Sequence, residues 1–106
     1  MELQTKLDNA VAELGITIDD VVLALRKEGI KGQPRSCSNC PIAAFIRKKL
    51  DLISDVFVNS ESITIFGLHT IAAQTRLTQN IKDFIGYFDG GMNKFQEFRK
   101  INNDNS

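Results

Sequence analysis

Apolar residues near the start of the chain recur at intervals of three and four, which is the spacing of one face of an α-helix. They run from Leu3 to Leu14 and are followed by Gly15, a common helix stop. Another stripe with the same period follows Pro41, and its members are Ile42, Phe45, Ile46, Leu50 and Ile53. Proline fits the first turn of a helix, so Ser38 or Cys40 is the expected N-cap of that helix.

Between these two stripes the sequence predicts a helix with well-defined ends. Thr17 and Asp20 have the spacing of a capping box, and Ile16 is placed to pack on Val21 as a hydrophobic staple. Gly29 suits the left-handed position that ends many helices. Three N-terminal helices are therefore predicted.

From residue 55 to residue 67 the apolar period changes from helical spacing to two, which indicates β-strands. We predict a β-hairpin, although its turn carries no Asn-Gly or Asp-Gly pair that would define the register. Phe57 and Phe66 fall on the face opposite the alternating valines and isoleucines, so both faces of the hairpin are apolar. A lone hairpin is not stable, and either a later helix or a second subunit is expected to cover the phenylalanine face.

The last third of the chain predicts one or two further helices. A helical stripe covers residues 77–88 and is followed by two glycines. Its helix begins at either Thr70 or Thr78, and the pattern leaves both starts open. Phe95 and Phe98 predict one more short helix after it.

Together these elements predict an α+β fold with three N-terminal helices, a β-hairpin and one or two C-terminal helices around a single core. The chain has 106 residues, enough for one domain, which we assign to residues 1–101, and the polar residues 102–106 are expected to form a disordered tail. No apolar run approaches the ~20 residues needed to cross a bilayer, and the first residues lack the pattern of a signal peptide. We therefore expect a cytoplasmic protein without a membrane partner.

Charge is balanced overall but is uneven along the chain. Thirteen basic residues match 13 acidic ones, yet residues 26–49 carry seven basic side chains and one acidic one, a sum of +6. The seven are Arg26, Lys27, Lys31, Arg35, Arg47, Lys48 and Lys49. They flank residues 30–40, a predicted loop that contains Gly32 and Pro34 and is here called the Gly/Pro loop, and the start of the third helix, where free N–H groups favour anions. The leading hypothesis is a non-catalytic module that binds nucleic acid or another polyanion through these basic residues. Alternatively, the basic residues near helix C-termini only complement the helix dipoles.

Cys37 and Cys40 form a Cys-x-x-Cys motif at a predicted helix N-terminus, where thiol pKa values can be lowered. A thiol-redox switch is therefore one alternative function. No strand directly precedes the motif and the proline follows the pair, unlike the thioredoxin arrangement, so packing as small apolar residues is the competing interpretation. Cys37, Cys40 and His69 are the only cysteine and histidine residues in the sequence, whereas a zinc site takes four ligands. No metal or cofactor is therefore predicted.

Catalytic patterns are not evident in the sequence. His69 follows the hairpin and is interpreted as a solvent-facing or capping residue. We find no serine–histidine–aspartate set, no phosphate-binding glycine motif and no paired carboxylates, so we do not expect an enzyme. The remaining hypothesis is a protein-interaction module in which Phe57 and Phe66 dock a partner or a second copy of the chain.

Several short segments occur in an order that resembles a known group of proteins. They are Gly32-Gln33-Pro34, Cys40-Pro41-Ile42-Ala43, two short strands, and a closing helix that ends in Phe88-Asp89-Gly90-Gly91. The order resembles that of a group of short bacterial and phage-borne proteins over residues 30–91. This chain differs from the group in having Thr78 in place of a proline and an additional Cys37. No activity is assigned to the group, so the resemblance implies the order of elements and no function.

Overall fold

The computed structural model describes residues 2–51, 55–68 and 70–100. Four α-helices, three strands and a closing 3₁₀ helix follow one another along these residues. In chain order they are α1 (Leu3–Ala12), α2 (Ile18–Lys27), α3 (Pro41–Leu50), β1 (Val56–Val58), β2 (Ser62–Phe66), β3 (Ile71–Arg76), α4 (Gln79–Asp89) and η1 (Asn93–Phe98). The predicted α+β class is confirmed. The predictions for Ile53, His69 and the tail at 102–106 lie outside the described residues.

The start of α2 shows how local sequence sets a helix end. The Thr17 hydroxyl accepts a hydrogen bond from the Asp20 N–H at 3.1 Å, and the Asp20 carboxylate accepts one from the Thr17 N–H at 3.0 Å. This is the predicted capping box. The predicted staple is wrong, because the Ile16 side chain is 87% exposed while Val21 is buried. The Asp20 carboxylate also accepts a hydrogen bond from the N–H of Ile16 at 2.9 Å.

The strands form one antiparallel sheet in the order β1-β2-β3. The predicted hairpin is present as β1 and β2, with Val56 opposite Ile65 and Val58 opposite Ile63. The third strand, β3, was not predicted; it pairs with β2 over residues 71–76. Because that segment is a strand, α4 starts late, with Thr78 as its N-cap.

One apolar core lies between the inner face of the sheet and the helices. α1 packs on β3 and α3 packs on β1, while α2 packs on α4 and η1. Phe84 is the centre of an aromatic group, with its ring centroid 5.9 Å from Phe88, 5.5 Å from Phe95 and 5.7 Å from Phe98. The contacts of Phe84 with Phe95 and Phe98 hold η1 against α4, although a 3₁₀ helix is weak alone. None of the described helices is long and apolar enough to span a membrane.

Candidate functional site

Several of the basic side chains predicted to bind a polyanion form ion pairs with acidic residues of the same chain. Arg26 contacts both carboxylate oxygens of Glu97, with Nη2 2.6 Å from Oε1 and Nε 3.0 Å from Oε2. This pairing raises the pKa of Arg26 and lowers the pKa of Glu97. Lys31 donates to the main-chain carbonyl of Glu97. The side chains of Arg26 and Lys31 therefore both bind Glu97 of η1.

A second group of cations lies between α1, α2 and α3. Lys49 is 2.8 Å from the Glu13 carboxylate and 3.6 Å from that of Glu28. The hydrogen bond that Lys49 donates to the Glu13 carboxylate is the main cause of the raised pKa of Lys49. Lys48 donates to the main-chain carbonyl of Glu28 at 2.5 Å. These contacts join the ends of three helices.

Arg35 and Arg47 bind main-chain carbonyls around the Gly/Pro loop. The Arg35 N–H lies 2.8 Å from an Asp89 carboxylate oxygen, and its guanidinium lies 2.9 Å from the Asp89 carbonyl. Arg47 donates to the carbonyl of Ser38 at 2.5 Å. Of the seven basic side chains, only that of Lys27 makes no ion pair or hydrogen bond with the described part of the chain. The basic side chains thus connect the loop and the helix ends through ion pairs and hydrogen bonds. This arrangement does not favour a continuous surface of free positive charge.

The Gly/Pro loop, residues 30–40, is held by its backbone as well. The Gly32 N–H donates to the Phe98 carbonyl and the Gly32 carbonyl accepts from the Lys100 N–H, each at 2.8 Å. A Cβ on Gly32 would lie 2.4 Å from the nitrogen of Pro41, so only glycine fits there. On the other side, the Cys37 carbonyl accepts from the Val58 N–H at 2.7 Å. The loop therefore connects the C-terminal segment to β1 through main-chain hydrogen bonds.

The two cysteines have different surroundings. Cys37 is exposed, whereas Cys40 is 4% exposed and is the N-cap of α3, one of the two residues predicted for that position. Its Sγ accepts a hydrogen bond from the Ala43 N–H at 3.5 Å. Burial raises the pKa of the Cys40 thiol, and the N–H groups of Ala43 and Ile42 offset this only in part. This environment does not favour a reactive thiolate. No cluster of potential metal ligands occurs within residues 2–51, 55–68 and 70–100.

Phe57 and Phe66 form a pair of exposed rings on the outer face of the sheet. Their ring centroids are 5.3 Å apart and their planes meet at 83°, an edge-to-face contact. They are 39% and 41% exposed, although their strand neighbours Val56, Val58 and Ile65 are buried. The alternation expected from the sequence is therefore present. The expectation that a later helix covers this face is wrong for the described residues, because both rings remain accessible.

A shallow depression of about 480 Å³ lies beside the two rings. Its lining residues are Cys37, Asp55, Phe57, Asn59, Thr64 and Phe66. Asp55 is exposed and makes no ion pair with any described residue. Asp55 was not among the predicted site residues, although strand alternation places it on the same face as Phe57.

Both edges of the sheet are partly capped by other segments. At the β1 edge, Val58 donates its N–H to the Cys37 carbonyl. At the β3 edge, the Gln4 side chain donates to the Gln74 carbonyl at 2.9 Å and accepts from the Gln74 N–H at 3.1 Å. These contacts use backbone groups that an added strand would need. The outer face is therefore more accessible to a partner than the edges.

Comparison of the chain with protein-family models, with curated proteins and with solved structures gives no significant match. The resemblance to short bacterial and phage-borne proteins over residues 30–91 stays a prediction. The function is accordingly inferred from the contacts and charges of the described residues.

Proposed function

We propose that this chain is a non-catalytic protein-interaction module and that its docking surface is the outer face of the sheet, here defined by the exposed residues Asp55, Phe57, Phe66 and Arg76. The exposed edge-to-face pair of Phe57 and Phe66 carries the proposal. Aromatic side chains contribute much of the energy of protein interfaces, since each buries a large apolar area at a small entropic cost. A partner that covers both rings gains about 25 cal/mol for each Å² of apolar surface removed from water.

The capped edges support docking on the face. A strand added at β3 would have to displace Gln4 from the backbone of Gln74. A strand added at β1 would compete with the Cys37 carbonyl for the N–H of Val58. Such competition disfavours recognition by strand addition, which depends on free main-chain groups at a sheet edge.

The two other hypotheses have less support from the contacts. Binding of a polyanion requires cations that can contact phosphates, whereas Arg26, Arg35 and Lys49 are already bound to acidic residues or their carbonyls. A thiol switch requires two accessible sulfurs, whereas Cys40 is buried and caps α3. Neither hypothesis accounts for the exposed rings.

Site-specific photo-crosslinking tests the proposed surface. A photoreactive phenylalanine analogue replaces Phe57 in one version of the protein and Leu23 in the other, in cells of the encoding organism. Leu23 is the matched control, because it is an exposed apolar residue on α2. We expect discrete protein adducts from position 57 that position 23 does not give, and we expect Phe66→Ser to weaken them. Each adduct is then reconstituted from purified components. Equal adducts from both positions would contradict the proposal.

A further inference from the structure

The docking surface carries two opposite charges that have no ionic partner among the described residues. Asp55 lines the depression beside Phe57 and Phe66. Arg76 is exposed at the end of β3 and pairs in register with Ser62. Glu61, an acid near Arg76, forms its ion pair with Lys82 at 3.7 Å instead.

The sheet register places these two charges at opposite corners of the surface. Asp55 precedes β1, and its carbonyl accepts the N–H of Phe66 at the far end of β2. Arg76 lies opposite Ser62, at the near end of β2. Asp55 and Arg76 are therefore two strands apart, or about 10 Å, and roughly four residues apart along the strands, or about 13 Å.

We propose that a second copy of this chain occupies the surface, and that Arg76 of each copy enters the depression formed by Asp55, Phe57 and Phe66 of the other. This inference rests on the proposed function and names its partner. A twofold axis that lies in the interface, perpendicular to the line from Asp55 to Arg76, brings both charge pairs together at once. Twofold contacts are reciprocal in this way: if one residue meets a second across the axis, the second also meets the first.

The depression has the chemistry that a guanidinium group needs. A carboxylate accepts two parallel hydrogen bonds from arginine, and aromatic rings attract its planar cation. Asp55 supplies the carboxylate, while Phe57 and Phe66 supply the rings. Arginine and aromatic residues are also enriched in protein interfaces, where lysine is depleted. Because the same surface carries both the site and the arginine, it is complementary to itself.

The small size of the surface predicts a weak dimer. Three strands with about five residues each present a face of roughly 250 Å², well below the ~800 Å² per partner of a standard interface. A contact of this size belongs to the class of weak, transient interfaces. Dimerisation should therefore depend on protein concentration and on salt.

Sedimentation equilibrium from about 10 µM to about 1 mM tests the inference with charge reversals, in the concentration range of such weak contacts. The single variants Asp55→Arg and Arg76→Asp each place like charges across the axis, so each should weaken self-association at least about 10-fold. A 1:1 mixture of the two forms heterodimers, because opposite charges then meet at both contacts. The double variant, with both substitutions, should regain the homodimer. Lys27→Asp is the control, since it makes on α2 the same change of charge that Arg76→Asp makes on β3. It should leave self-association unchanged.

The outcomes separate this inference from the proposed function. A wild-type chain that is monomeric at about 1 mM overturns the second copy as partner, while position-57 adducts with another protein would still support the docking surface. A dimer that tolerates both reversals also overturns the inference. If such a dimer occurs without adducts from position 57, self-association uses a different surface and both proposals fail. Circular dichroism of each variant verifies that these exposed substitutions leave the fold intact.

Discussion

The side chain of Gln4 pairs with the backbone of Gln74 in the way that a neighbouring strand would. Its Nε2 is 2.9 Å from the Gln74 carbonyl oxygen, and its Oε1 is 3.1 Å from the Gln74 nitrogen. Gln4 belongs to α1 and Gln74 belongs to the edge strand β3, so one amide joins the helical layer to the free side of the sheet. Uncapped edge strands are sites of aggregation, and this contact protects the middle of β3.

Replacement of Gln4 by alanine should expose that edge. Loss of two partly exposed hydrogen bonds is expected to lower the free energy of unfolding by about 1 kcal/mol. The Gln74 amide should also lose its protection against hydrogen exchange. Both quantities can be measured, by urea unfolding and by exchange followed with NMR. Thr5→Ala, an exposed change in the same helix, is the control. Unchanged protection of the Gln74 amide in Gln4→Ala would mean that the contact does not cap the strand.

Asn80 is a buried polar residue that anchors the start of α4. Its Nδ2 donates to the carbonyls of Leu14 at 3.0 Å and Thr17 at 3.2 Å, which lie in the connection between α1 and α2. In Asn80→Ala the Leu14 carbonyl loses the Asn80 donor inside the protein, whereas the Thr17 carbonyl keeps the N–H of Val21, so the free energy of unfolding should fall by about 1–3 kcal/mol. The neighbouring exposed change Gln79→Ala should cost much less in the same urea titration. A similar loss for both variants would refute the anchoring role.

The parts of the fold that follow local rules could be predicted from the sequence. Thr17 and Asp20 specify a helix start through groups only three residues apart, so their capping box needs no tertiary information. The alternation around Phe57 likewise predicts which side chains share a strand face. These features depend on short-range geometry, which a sequence contains directly.

The remaining features depend on partners that are distant along the chain. The β3 segment contains two alanines and a glutamine, which favour helices, and it becomes a strand because β2 lies beside it. Because β3 was not predicted, the position of Arg76 on the outer face was not predicted either, since it follows from the pairing of β2 with β3. The run of basic residues looked free in the sequence, yet Arg26 meets Glu97, which lies 71 positions away. Charge pairing of this kind cannot be derived from composition.

Alanine substitutions at Gly32 and Gly86 test whether the close packing of the Gly/Pro loop stabilises the fold. A Cβ at Gly32 would lie 2.4 Å from the Pro41 nitrogen, whereas a Cβ at Gly86 meets nothing within 4 Å. Gly32→Ala should therefore displace the main chain and lower the free energy of unfolding by about 3 kcal/mol or more. Gly86→Ala lies within α4 and should raise it by up to about 1 kcal/mol. Thermal or urea unfolding of both variants decides the matter, and equal effects would contradict the close packing of Gly32.

The Asp20 carboxylate should make stability depend on pH in the acid range. Hydrogen bonds from the N–H groups of Ile16 and Thr17 lower the pKa of Asp20. A lowered folded-state pKa means that the stabilisation is complete above the unfolded-state pKa, about 3.9, and is lost as the pH falls through the lower folded-state pKa. Asp20→Asn should thus be less stable than the wild type at pH 7, with the difference shrinking below about pH 4.

Urea unfolding of both proteins from neutral pH down to the acid range measures this difference. Asp19→Asn is the control, since Asp19 is an exposed carboxylate in the same first turn of α2. A constant gap between wild type and Asp20→Asn at every pH would show that the Asp20 charge has no part in the cap.

The contrast between the two cysteines predicts stepwise thiol labelling. Cys37 is exposed and should react quickly with a thiol reagent at mildly alkaline pH. Cys40 should stay unlabelled in the folded protein, because it is buried and burial raises the pKa of its thiol. Mass spectrometry should find one label per chain before urea is added and two afterwards. Cys37→Ser should remove the fast label alone. Rapid labelling of Cys40 in the folded chain, or a Cys37–Cys40 disulfide after mild peroxide treatment, would instead favour the thiol switch.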